Sequence, residues 1–238
     1  MFSNLVFVEK DDLYIVVPFL PRLIPNAKSY VLECLKTVVP EERILEEVPK
    51  DMTRHPHPHL VGKYHSERKV TGSVNPRENE MGCNFIRETL LKIADKPRLI
   101  EEVPYLYISR RDNSSSEYHK GRNARDVVNQ EELLSRLPQF KSFCFGDLPF
   151  VQQIQLVRDA KIILAPHGAA LIHILAGNKD LKIVELVAEI NTCSVFLEKS
   201  RILGIDHHQM SFPSDRDENM TVDIDQVVNK VKELMPVE

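Results

Sequence analysis

Two adjacent arginines, a His-Gly-Ala-Ala step and a lone glutamate in an apolar run are the residues of this chain best suited to chemistry. Arg110 and Arg111 follow the run "YLYIS" and offer bidentate donors that match phosphate oxygens. His167-Gly168-Ala169-Ala170 stands inside "AKIILAPHGAALIHILAGNKDLKIVELV" (160–187), between an apolar strand and a helix start. Small residues at such a junction leave backbone N–H groups open to an anion, and the helix end adds partial positive charge. Glu185 stands late in the expected strand "LKIVELV", where nucleotide-binding sheets place the carboxylate that takes a ribose diol. A nucleoside diphosphate suits all three features. Plainer uses stay open beside it: helix–sheet packing for the small residues, a solvated strand exit for Ser-Arg-Arg-Asp, and a lysine partner for Glu185. There is no G-x-G-x-x-G and no G-x-x-x-x-G-K-[ST], which argues against a dinucleotide dehydrogenase or a P-loop enzyme.

These residues meet only if the elements between them form an open parallel sheet. From residue 103 onward, strand and helix patterns alternate. Strands are expected at 104–110, 141–145, 161–166, 181–187 and 207–212. Helices are expected at 129–137, 149–160, 168–177, 191–204 and 222–235, the fourth stopped by Gly204. The strands are apolar nearly end to end, as in a sheet covered on both faces. The fold class is therefore α/β, with a Rossmann-like domain over 101–215 and a last helix, 216–238, packing back across the domains. In such sheets ligands lie beyond the carboxyl ends of the strands, where Ser109, Arg110, Arg111, Gly146, Asp147, His167, Gly168, Ala169, Ala170 and Glu185 all fall. Residues 1–100 are irregular and hold most of the prolines. Strands are expected there at 5–9, 13–17 and 43–48, helices at 27–38 and 84–95, and a loop at 53–79.

Bulk composition narrows the classes. The 238 residues are 42% hydrophobic and 28% charged, enough for a sizeable core in one large or two small domains. A net charge of −4 gives nucleic acid no support as a partner. No apolar stretch is long enough for a membrane span. The opening "MFSNLVFVEKDD" lacks the basic start and long apolar core of a signal peptide, so a cytoplasmic location is expected. Cys34, Cys83, Cys144 and Cys193 form no C-x-x-C pair, and reduced thiols are the default. With no Trp, any stacking on a sugar or base falls to Tyr, Phe or His.

The run from "YLYISRRDNSSS" through "GRNARDVVNQEEL" and "FVQQIQLVRDAKIILAPHGAALIHILAGNKDLKIVEL" resembles glycosyltransferase family 61 in order and spacing. That family includes plant xylan-decorating xylosyl- and arabinosyltransferases and the extracellular O-linked GlcNAc transferase. The matching residues are Ser109, Arg110, Arg111, Arg125, Asn129, Gln153, His167, Gly168, Ala169, Leu171 and Glu185, with Ala170 where the family has a second Gly. Gln130 stands for the usual Glu after Asn129. "FLPRL" (19–23) is similar to the family's Leu-Pro-Arg-Leu, but Tyr14, Ile15 and Pro18 occupy the places of an upstream His-Trp and Glu.

The resemblance implies a GT-B type fold of two Rossmann-like domains, the N-terminal one (1–100) small, irregular and on the acceptor side. It also implies an inverting, metal-independent transfer of xylose or GlcNAc from a UDP-sugar to a glycan hydroxyl. The donor-binding set is then Ser109, Arg110, Arg111, Arg125, Asn129, Gln153, His167, Gly168, Ala169, Ala170 and Glu185, with no cofactor. Asp12 is the favoured catalytic base, with Glu9 and Asp11 as rivals. His55, His57 and His59 in "RHPHPHLVG" read as a surface loop before a metal site, and His207 and His208 as structural. Two other classes stay open: a non-catalytic nucleotide- or glycan-binding module descended from such a transferase, and another phosphate-handling α/β enzyme such as a sugar epimerase.

Overall fold

The computed structural model describes residues 15–16, 36, 41, 44–45, 76–110, 125–191 and 193–236. The chain divides into two compact units, Met1–Thr89 and Leu90–Glu238. In the first, β1 (Ile15–Val16) pairs in parallel with β2 (Ile44–Leu45), both inside expected strands. The expected strand at 5–9, most of the helix at 27–38 and residues 53–75 of the loop expected at 53–79 lie outside the described residues, while 76–79 of that loop are helical instead. Helix α1 (Pro76–Ala94) begins earlier than its apolar periodicity suggests. Its first residue is a proline, whose missing N–H would be unpaired there in any case.

The second unit is built on five parallel strands: β3 (Tyr105–Ser109), β4 (Lys141–Cys144), β5 (Ile162–Pro166), β6 (Lys182–Ala188) and β7 (Asp206–Phe212). Their order across the sheet is β4-β3-β5-β6-β7. The chain leaves β3 toward one edge and β5 toward the other, so the topological switch point lies between those two carboxyl ends.

Helices α2 (Gln130–Ser135) and α5 (Ile224–Leu234) share one core with the sheet. It joins Leu133, Val227, Val228 and Val231 to Ile162, Leu164, Val184 and Leu186, alternate residues of the two central strands. On α3 (Phe150–Asp159) and α4 (Val195–Leu203) the buried positions pack around a helical segment between β5 and β6. That segment, Ala169–Ala176, is a 3-10 helix where the sequence suggests an ordinary one. It is apolar nearly all round and buried over most of its length. Close packing from both sides, not an amphipathic stripe, sets its winding. Gly204 ends α4 in the left-handed region at φ 68°, and Ile205 N–H returns to the Ser200 carbonyl at 2.9 Å.

Helix α5 starts at Asp223, whose carboxylate accepts from Gln226 N–H at 3.0 Å while the Gln226 side chain reaches back to it at 3.1 Å. Asp223→Ala is expected to lower stability by about 0.5–2 kcal/mol. Chemical denaturation should show this as a lower midpoint with an unchanged slope.

Candidate functional site

The switch point brings Arg110 to the Gly168 junction. Arg110 directly follows β3, and Gly168 lies two residues beyond β5. A Cβ placed on Gly168 would fall within the Arg110 guanidinium, 3.0 Å from its Cζ and closer still to Nη1. Gly168 itself is extended (φ 176°), so the need for glycine here is space and not backbone conformation. Beyond it the chain turns at once, Leu171 N–H bonding to the Gly168 carbonyl at 2.9 Å. Among the described residues nothing accepts from the N–H groups of Gly168, Ala169 or Ala170. Ala169 is exposed and Ala170 half-buried. A row of backbone donors beside a guanidinium is an anion cradle.

Arg125 adds a second cation. It sits at φ 51°, and its Nε meets Glu218 Oε2 at 2.8 Å, Glu218 itself being at φ 60°. Both are non-glycine residues in the left-handed region, an arrangement that persists only when surroundings hold it. Those surroundings are visible: Asn191 bonds Glu218 at 3.0 Å, Asp126 N–H bonds Asn219, and Met220 N–H bonds the Asp126 carbonyl. Burial lowers the pKa of Arg110 and the charge of Arg125 lowers it further, while Glu218 and Asp126 oppose this. Two arginines therefore crowd one partly buried place, which favours an anion between them.

His167 is buried and its Nδ1 lies 2.5 Å from Glu185 Oε1. Its ring packs against Phe196 of α4, centroids 5.2 Å apart. Glu185 is 0% exposed. Its second oxygen accepts from Gln209 Nε2 at 2.7 Å and faces His207 Nε2 at 3.0 Å. Burial alone would raise the Glu185 pKa; the bonds from His167, His207 and Gln209 outweigh it and bring the value down to about 2.

Several of the expected donor-binding residues have partners inside the protein. Both oxygens of Glu185 are bonded there, to His167, His207 and Gln209. Gln153 Nε2 donates to the Phe145 and Leu148 carbonyls, each at 2.8 Å, and its Oε1 lies 2.9 Å from His173 Nε2. It fixes the turn that leaves β4. Asn129 clamps Val222, donating to its carbonyl at 2.8 Å and accepting from its N–H at 3.0 Å. Buried Ser109 donates to Gln130 Oε1 at 2.9 Å, so the amide that replaces a glutamate still supplies the acceptor. Arg110, Arg125, His167, Gly168, Ala169 and Ala170 remain as the cluster at the sheet's carboxyl edge. Arg111, Asp12, and the loop residues His55, His57 and His59 lie outside the described residues.

Ser200, His207 and Gln209 carry a network that the sequence reading left out of the site. A signal was available: a lone carboxylate in the apolar run "KIVELVA" needs buried partners, and residues 207 and 209 share one face of the neighbouring strand.

Two comparisons bear on this cluster. The family model for Glycosyltransferase 61 matches residues 15–184. A beta-1,2-xylosyltransferase, RCN11, of Oryza sativa subsp. japonica is 19% identical over 118 residues. That alignment covers 45% of this chain and 22% of the rice protein.

Acid stability should fall in two separable windows. Burial lowers the pKa of His173 to about 3, so its neutral form is the folded one. Its contribution is full above the ordinary histidine value near 6.5 and is lost as pH falls toward about 3. The Glu185 contribution, on the order of 3 kcal/mol, is full above the ordinary carboxylate range and is lost as pH falls toward about 2. In denaturation series, His173→Met should flatten the loss between pH 6 and 4, and Glu185→Gln only the loss below about pH 4.5.

Proposed function

This chain belongs to glycosyltransferase family 61, and from that premise we propose that it transfers a sugar from a UDP-sugar to a hydroxyl of a glycan acceptor. The observation that carries the reading is the row of N–H groups at Gly168–Ala170, without acceptors among the described residues, beside Arg110 at the β3/β5 switch point. Such a site suits the diphosphate of a nucleotide sugar. The printed activity of the rice relative favours xylose as the sugar, with GlcNAc as the other candidate.

In this reading the transfer inverts the anomeric carbon. A base takes the acceptor O–H proton, and the acceptor oxygen bonds to the anomeric carbon. The bond to the diphosphate oxygen breaks in the same displacement, and its electron pair leaves with the UDP. Charge grows on that leaving oxygen, and Arg110, Arg125 and the Gly168–Ala170 amides are the groups available to stabilise it. That is the role a divalent metal fills elsewhere, so the reading is metal-independent. Arg111 is proposed to join the same cluster. The two units correspond to the two domains of a GT-B enzyme, the first supplying the acceptor side and Asp12 the base. The departures at Tyr14, Ile15 and Pro18 favour one rival, a binding module without transferase activity.

Calorimetry with UDP and UMP, followed by turnover assays on a panel of UDP-sugars, tests the reading. Arg110→Ala is expected to weaken UDP about tenfold to a hundredfold and UMP much less. Equal losses would remove the diphosphate role. UDP binding with no turnover on any donor and acceptor pair would leave the binding module.

A further inference from the structure

The arginine pair at the junction does not stand alone. Arg110 feels the positive charge of Arg125 and the negative charges of Glu218 and Asp126. Among the described residues, two carboxylates are thus set against two guanidinium groups. A carboxylate in an anion cradle works against it, because each negative charge held there repels the ligand.

Glu218 is the carboxylate in contact. Its Oε2 lies 2.8 Å from Arg125 Nε and also accepts from Asn191 Nδ2 at 3.0 Å. The contact with Arg125 is one of charge: its Nε is sealed and has no aligned hydrogen bond among the described residues. No acceptor among those residues meets the two terminal nitrogens of Arg125, so the far edge of its guanidinium is left for a ligand.

The backbone singles out the same pair. Among the described residues, Arg125 at φ 51° and Glu218 at φ 60° are the non-glycine residues in the left-handed region. Gly, Asn or Asp fills such positions at least cost, so an Arg and a Glu there point to what their side chains do. On either side of Glu218, the N–H groups of Asp217 and Asn219 donate to Asp215 Oδ1 at 2.8 and 2.9 Å. That pins the turn, so the carboxylate stays beside Arg125 when a ligand arrives.

We propose that Glu218 is a specificity-determining residue, a fixed counter-charge that weakens the arginine cluster's hold on UDP more than its hold on the sugar nucleotide. The inference rests on the nucleotide-sugar reading for its ligands, but the counter-charge itself does not. When the bond from the anomeric carbon to the diphosphate oxygen breaks, the electron pair stays on that oxygen. The product therefore carries more negative charge than the donor. Two arginines without a counter-charge would hold that product harder than the donor. A carboxylate at their side repels the more highly charged ligand more, so UDP leaves and a new donor enters.

Calorimetry at about pH 8, where the terminal phosphate of UDP is ionised, tests this with inorganic pyrophosphate, UDP and UDP-xylose. Glu218→Gln keeps the size and an acceptor for Asn191 and removes the charge. It should bind pyrophosphate and UDP about tenfold more tightly than wild type, and UDP-xylose only about threefold more tightly. A merely structural role would move affinity the other way, because a loosened Arg125 is a poorer donor. Glu218→Asp and Glu218→Asn form a second pair, alike in size, suited to the left-handed region and different in charge. The Asn member should bind pyrophosphate and UDP more tightly than the Asp member, and both gains should shrink as salt rises. Equal or weaker pyrophosphate binding in Glu218→Gln, or in Asn against Asp, overturns the counter-charge. Equal gains for UDP and UDP-xylose overturn the discrimination between product and donor. If no form of the protein binds UDP or UDP-xylose, the nucleotide reading falls, and the pyrophosphate comparison still decides the counter-charge by itself.

Discussion

The carboxylate of Glu185 is the constraint around which the candidate site is arranged. It is a full negative charge in an interior strand, flanked along β6 by buried apolar residues, with no solvent contact. Leaving such a group unpaired would cost several kcal/mol, so its neighbours are set by its needs. β7 supplies His207 and Gln209 from one face, α4 supplies Ser200 behind His207, and the end of β5 supplies His167. One buried charge therefore ties three successive elements to the junction where the open amides lie. The low Glu185 pKa is the thermodynamic form of the same statement.

A second arrangement converges on the junction from the opposite side. Residues 214–222 are stitched to 125–129 by the Asn129 clamp, the Asp126–Asn219 and Met220 bonds, and the pair of left-handed residues joined by a salt bridge. This holds Arg125 beside the partly buried Arg110 against their mutual repulsion. Gly168 completes the site by leaving out a side chain, since only then does the Arg110 guanidinium lie against the backbone of the amide row. Rigid support of this kind keeps donors in place before an anion arrives, which is what makes them effective toward developing charge.

Much of the sheet could be read from the sequence alone. The three inner strands β3, β5 and β6 follow from mostly apolar runs, the edge strands β4 and β7 are more polar, and Gly204 marks the end of α4 where it was expected. That Arg110, His167 and Gly168 stand at strand ends was recognisable because strand ends and small-residue junctions are local patterns. The family was recognisable for the same reason, through motifs in a fixed order. The 3-10 winding of Ala169–Ala176 was not, because it depends on packing from α3 and α4 and not on its own periodicity. The clamps that Gln153 and Asn129 make inside the protein were not legible either. Their partners lie on distant or unpatterned backbone, such as the Val222 amide.

The sequence by itself determined the kinds of group present: a parallel α/β sheet, cations at one strand end, a glycine junction and a lone glutamate. Local chemistry and the two-residue period of a strand are enough for that. Only the tertiary structure decided which way the glutamate faces and what it holds. Strand register sets Glu185 opposite Gln209, and the β7 pleat brings His207 to the same face. The burial that results sets both oxygens of Glu185 against His167, His207 and Gln209. Such pairing across the sheet depends on contacts far apart along the chain, and no short stretch of sequence records them.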